Sequence, residues 1–114
     1  MLATQTFGPD PSPDAPPLVI AHGLFGSGRN WGVIAKRLSG ARPVTTVDMR
    51  NHGASPWTES HCYSDLAGDL GEVIDSLGGR ADLLGHSMGG KAAMALALTE
   101  IGRASCRERE FPVV

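Results

Sequence analysis

The sequence predicts an α/β fold in which a parallel sheet lies between two helical layers, a three-layer sandwich. Three observations predict it. Leu18-Val19-Ile20-Ala21 and Val44-Thr45-Thr46-Val47 are continuous runs of the kind found in strands buried on both faces. Between and after them, apolar residues recur at helical spacing. The two patterns alternate through six elements, and right-handed crossovers turn such an alternation into a parallel sheet.

The elements follow in order. Leu2 to Phe7 reads as a short first strand. Residues 7–17 then hold five of the eight prolines, which excludes a central strand or a helix interior and implies a surface connection. After the strand at Leu18–Ala21, the stretch Asn30 to Leu38 sets Trp31, Ile34, Ala35 and Leu38 on one helical face, with Gly40 as a stop signal. Val44 to Val47 is the next core strand. Tyr63, Leu66, Ala67, Leu70, Val73, Ile74 and Leu77 then mark an amphipathic helix that ends at Gly78-Gly79. Ala81 to Leu84 is a third core strand. Met88 to Leu98 is apolar almost all round and is expected to be a buried helix.

Composition narrows the function classes. The 114 residues suffice for one domain, and 41% hydrophobic against 19% charged residues argues for a packed fold over disorder. A net charge of −2 offers no electrostatic basis for nucleic acid or an anionic membrane as partner. The longest apolar run, Ala92 to Leu98, falls far short of the ~20 residues of a membrane span. The start Met1-Leu2-Ala3-Thr4-Gln5-Thr6 lacks the basic and apolar regions of a signal peptide. Cys62 and Cys106 form neither a disulfide framework nor a metal set. The expectation is a reduced, cytoplasmic setting with no metal or organic cofactor.

Chemistry concentrates where the third core strand meets the last helix. Gly85-His86-Ser87-Met88-Gly89-Gly90 fits the G-x-S-x-G pattern of a nucleophile elbow. A serine attacks only if its hydroxyl stands clear at the carboxyl end of the strand, which demands a very tight turn. Side chains two residues to either side would collide with the neighbouring helix and strand, so Gly85 and Gly89 omit them. The helix start beyond Ser87 offers free N–H groups and partial positive charge to a developing oxyanion. An ordinary strand-to-helix turn with a capping serine is the plainer reading of the same residues.

A second oxyanion donor is expected from the loop after an earlier, adjacent strand. His22-Gly23-Leu24-Phe25-Gly26-Ser27 follows the first core strand, and its glycines allow close backbone approach. The N–H of Leu24 is the candidate donor, with that of Met88 as its partner; His22 is expected to bond within the loop. A rival reading is a dinucleotide fingerprint, with Gly26-x-Gly28 opening a helix and Asp48 twenty residues on. Its third glycine would fall at position 31, where Trp31 blocks close helix packing. In Asp48-Met49-Arg50-Asn51-His52-Gly53-Ala54-Ser55, Asp48 and Arg50 are candidates for a pinning ion pair and His52 for a polar turn residue.

Taken together, His22–Ser27, Asp48–Ser55 and Gly85–Lys91 resemble the α/β-hydrolase superfamily, and most closely its small bacterial esterases with a His-Gly-Leu-Phe-Gly-Ser loop. The resemblance covers roughly residues 1–100 and implies the N-terminal half of that fold. It implies a serine esterase or thioesterase acting on small acyl esters, with Ser87 as nucleophile and Leu24 and Met88 as backbone donors. His22, Gly23, Gly85, His86 and Gly89 support the elbow and its facing loop. No metal or organic cofactor is implied. Acyltransferases and carbon–carbon hydrolases share the elbow, and a binding-only or inert chain is a further alternative.

One departure is decisive for activity. In this superfamily the triad runs Ser, then Asp or Glu, then His. The 27 residues after Ser87 contain no histidine, so the expected base is absent and the chain is expected to be inactive. Residues 101–114 also differ in character, with three basic and two acidic groups against seven and ten in residues 1–100. Ile101 to Arg109 can be written in allowed codons as ATC GGA AGA GCG TCG TGT AGG GAA AGA, which resembles a common sequencing adapter. The expectation is a hydrolase domain part at 1–100 and an artefactual tail at 101–114.

Overall fold

The computed structural model describes residues 1–99 and 104–105. In chain order the elements are β1 (Thr4–Phe7), β2 (Leu18–Ala21), a 3₁₀ turn (Gly28–Trp31) leading into α1 (Gly32–Leu38), β3 (Val44–Val47), α2 (Tyr63–Ser76), β4 (Ala81–Gly85), α3 (Met88–Thr99) and β5 (Ala104–Ser105). The sheet order is β1-β3-β2-β4-β5. β2, β3 and β4 run parallel, as the alternation predicts, and β5 lies parallel on β4. β1 does not: it lies antiparallel on β3, with Thr4 opposite Val47 and Phe7 opposite Val44. The sheet is therefore mixed. Three of the four β1 residues are exposed, and antiparallel edge strands tolerate a solvated face as parallel central strands do not.

The period-two alternation of the strands sorts their side chains between two cores. Val19 and Ala21 of β2, Val47 of β3, and Ala81 and Leu83 of β4 face α2 and α3, where Leu66, Leu70, Val73, Ile74, Ala92, Ala93 and Leu96 close the larger cluster. Leu18 and Ile20 of β2 and Val44 of β3 face the other way, onto Ala35 of α1, with Phe7, Trp31 and Leu84 around them. The same strands thus feed both layers, which is why β2 reads as an unbroken apolar run and β3 as a β-branched one, with no exposed position in either. At the end of β4, the carboxyl side of the sheet, Gly85 pairs with Ala21, so β2 and β4 lie side by side and deliver the two glycine-bearing loops to one place.

Two element readings are corrected. The first helix begins as a 3₁₀ turn because the Ser27 N–H donates to Oδ1 of Asn30 at 2.8 Å, which tightens the entry. α3 is not buried on every side: Ala92, Ala93 and Leu96 are, but Met94 is 39% and Leu98 81% exposed. The foreign-tail expectation concerns residues that, Ala104 and Ser105 apart, lie outside the described ones. Those two pair with Ala81 and Asp82, where the sequence reading finds no strand. No helix among the described residues is long and apolar enough to cross a membrane.

Candidate active site

β4 ends at Gly85 and α3 starts at Met88, so only His86 and Ser87 make the turn. Ser87 has φ 54°, the left-handed region that costs a non-glycine residue of order 1–3 kcal/mol unless its surroundings impose it. The surroundings do. A Cβ on Gly85 would stand 2.5 Å from Cα of Gly90, and one on Gly89 would overlap the carbonyl of Ala21 and come within 2.6 Å of that of His22. Both glycines are therefore required by backbone contact. The Gly89 N–H donates to the His86 carbonyl at 3.0 Å and the Lys91 N–H to that of Ser87 at 3.0 Å, which closes the turn.

The turn opens into a cavity of about 440 Å³ lined by His22, Gly23, Leu24, Phe25, Gly26, Asn30, Trp31, Ile34, His86 and Ser87. Its side chains carry no Asp, Glu, Lys or Arg. The loop after β2 forms the wall facing Ser87: a Cβ on Gly23 would meet Nδ1 of His86 at 3.0 Å and Cβ of Ser87 at 3.4 Å. Among the described residues, the N–H groups of Leu24 and Met88 and the hydroxyl of Ser87 carry no hydrogen bond. A hydroxyl and two spare N–H donors on adjacent segments can together receive a carbonyl group.

The loop after β3 holds this wall from behind. His22 is 1% exposed, donates from Nδ1 to the Gly23 carbonyl at 2.7 Å and accepts the Met49 N–H at Nε2, 2.9 Å away. Burial, with a smaller contribution from the His52 ring, pushes its imidazole below the ordinary value and keeps it neutral, against the opposing effect of the Gly23 carbonyl. It bonds within the loop, as expected, and also across to the next one. His52 is more than a turn residue: Nδ1 donates to the Arg50 carbonyl at 2.8 Å and Nε2 accepts the Phe25 N–H at 3.0 Å. Asn51 donates to Nδ1 of His61 at 2.9 Å, leaving the Nε2 proton directed at the Met88 sulfur 3.4 Å away.

The expected Asp48–Arg50 pair does not form. Asp48 accepts the Gly28 N–H at 2.8 Å and the Ala54 N–H at 3.0 Å, which binds the two loops together. Arg50 instead grips Asp69 of α2 in a two-pronged contact at 2.6 and 2.9 Å, a geometry that suits a planar guanidinium better than a neighbour two residues away. The dinucleotide reading loses its ribose ligand by the same observation, since both Asp48 oxygens already accept backbone N–H groups. The structure thus brings Ser87, His86, His22, Gly23 and Leu24 to one cavity and sets Gly85, Met88 and Gly89 directly behind it. Sequence reasoning missed His52, Met49 and Arg50 as cross-links; their position two to five residues beyond a core strand was the only signal. Among the described residues no cluster of three His, Cys, Asp or Glu side chains could hold a metal ion.

Residues 18–113 match the Alpha/beta hydrolase family. The chain belongs to that family. Its relatives include proteins named as esterases and lipases: the sn-1-specific diacylglycerol lipase ABHD11 of Danio rerio is 47% identical over 90 residues, 76% of this chain and 28% of the relative. Esterase YbfF of Escherichia coli is 48% identical over 81 residues, 70% of this chain and 32% of the relative. A probable alcohol acetyltransferase of Saccharomyces cerevisiae is 40% identical over 89 residues, 73% of this chain and 26% of the relative. Among solved structures, a marine microorganism esterase superposes with a TM-score of 0.84 at 38% identity, covering 91% of this chain and 39% of that one. The α/β-hydrolase chain described here therefore spans about a third of the length of the relatives it matches.

Proposed function

We propose that this chain carries the nucleophile and the oxyanion donors of a serine hydrolase that cleaves small carboxylic or thioesters. The observation that carries the reading is Ser87, held at φ 54° between two sterically obligatory glycines with its hydroxyl unbonded in the cavity. In the reaction, a histidine base takes the Ser87 proton as Oγ bonds to the acyl carbon. The carbonyl electrons move onto oxygen, where the N–H groups of Leu24 and Met88 receive the charge. The electrons return, the bond to the alcohol or thiol breaks, and the base protonates the leaving group. Water then hydrolyses the acyl-serine by the same route. The uncharged lining favours a neutral ester.

Among the described residues no side chain bonds to the Ser87 hydroxyl. His22 and His52 each use both ring nitrogens, His61 is turned to Asn51 and Met88, and no histidine ring bonds to Ser87 among the described residues. On this reading the reaction requires a base other than these rings, with an acid to orient it, and the 114-residue chain is expected to be inactive by itself. The deciding experiment is hydrolysis of a short-chain aryl ester by the complete gene product and its Ser87→Ala variant. Loss of about 10⁴- to 10⁶-fold in turnover supports the reading, and full activity in the variant overturns it.

The similarity to a probable alcohol acetyltransferase favours a second reading, acyl transfer to an alcohol instead of water. The same acyl-serine serves both, and product analysis with added alcohol separates them. For residues 101–114 we take the adapter reading forward. Resequencing the source gene tests it: departure from these codons after residue 100 supports it, and an unbroken natural reading through residue 113, the extent of the family match, overturns it.

A further inference from the structure

Phe25 carries the most unusual backbone in the loop that faces Ser87. Its φ of 63° is rare for a bulky residue, and its side chain is 91% exposed, so no packing holds it there. Two bonds hold it: the Gly26 N–H donates to the Gly23 carbonyl at 3.0 Å and closes a turn with Leu24 and Phe25 at its centre, and the next loop supplies the second. The Phe25 N–H donates to Nε2 of His52 at 3.0 Å, and His52 is a buried ring whose Nδ1 proton is committed to the Arg50 carbonyl at 2.8 Å. A carbonyl can only accept, so Nδ1 carries the proton and Nε2 presents a lone pair. The His22 ring stands edge-on to His52 with centroids 5.1 Å apart and holds the carbonyl of Gly23 at 2.7 Å. One histidine thus grips the residue before Leu24 and the other the residue after it.

We infer that His52 is a positioning residue for the oxyanion loop: by accepting the Phe25 N–H it sets the backbone around Leu24 so that the Leu24 N–H is preorganised for the reacting carbonyl. The inference rests on the proposed esterase reading. His52 lines no part of the cavity, so it acts only through the peptide it holds. A misplacement near 1 Å in such a donor costs about 10²-fold in rate, whereas a neutral ester bound chiefly by apolar walls keeps its ground-state affinity.

The test is steady-state kinetics of the complete gene product with His52→Ala, His52→Gln and Ser87→Ala side by side. His52→Ala is expected to lower kcat by about 10- to 10²-fold with KM within about twofold. His52→Gln, whose Oε1 can accept the same N–H, is expected to recover most of that loss. Ser87→Ala retaining activity would refute the esterase reading itself. An inactive Ser87→Ala beside a His52→Ala of wild-type kcat, or one altered in KM alone, overturns the positioning role. Should His52→Ala fail to fold, nitrogen–nitrogen coupling across the hydrogen bond in ¹⁵N-labelled wild-type protein decides. A coupling between Phe25 N and His52 Nε2 supports the inference, and a resolved pair with none overturns it.

Discussion

Gly89, in the first turn of α3, rests directly against the carbonyl of Ala21 at the end of β2. No atom separates the two backbones, and a Cβ at position 89 would overlap that carbonyl. This contact brings the start of α3 against the strand that feeds the facing loop, so it sets the distance between Ser87 and Gly23.

Gly89→Ala is therefore expected to destabilise the fold by about 1–3 kcal/mol, the usual range for overpacking, because the obstacle is backbone and cannot rotate away. Gly32→Ala is the control. A Cβ there meets nothing within 4 Å in a helical residue, so a stabilisation of about 0.4–1 kcal/mol is expected. Urea unfolding of both variants checks the pair, and equal effects would contradict the contact.

The 114-residue chain is expected to show no steady esterase turnover. A serine hydroxyl is a weak nucleophile until a base takes its proton, and no ring nitrogen bonds to it here. Residual rates up to about 10³-fold above water remain compatible with the oxyanion donors alone. A stoichiometric burst followed by turnover on an activated ester would identify one of His22, His52, His61 or His86 as a base.

His22 makes stability depend on pH in a predictable direction. Its folded value lies below the unfolded one, chiefly because burial disfavours the charged ring. The unfolded chain thus binds a proton that the folded chain refuses as pH falls below about 6.5. The contribution is full above that pH and is lost progressively on acidification toward the folded value. His22→Gln is expected to flatten the slope between about pH 7 and 5. An unchanged slope in urea midpoints would show that His22 titrates alike in both states.

At the opposite end of the sheet, Arg42 pairs with the buried carboxylate of Asp82 at 2.7 Å and also donates to the Pro16 carbonyl at 2.6 and 2.9 Å. Arg42→Met leaves that carboxylate without its partner and is expected to cost about 1–3 kcal/mol. Adding Asp82→Asn is expected to recover part of the loss. Strict additivity in the double-mutant cycle would show that the pair does not interact.

Much of this molecule is legible in the chain. Leu18–Ala21 and Val44–Val47 are strands with the bounds the sequence suggests, because every residue of both is buried and the runs are apolar or β-branched from end to end. The G-x-S-x-G turn is legible only in part: Gly85 answers a local steric demand, since a Cβ there meets Gly90, whereas Gly89 clears the carbonyl of Ala21, a contact that arises only after the sheet has formed. What escaped the sequence lies between segments distant in the chain. The antiparallel seat of β1, the grip of Arg50 on Asp69 and the hold of His52 on Phe25 each depend on which surface a residue meets after folding. Local pattern says which side chains are apolar and where the backbone must turn tightly. It does not say which lone pair will face which N–H across 27 residues of sequence, and here only the tertiary structure, by laying the β3 loop behind the β2 loop, decided that.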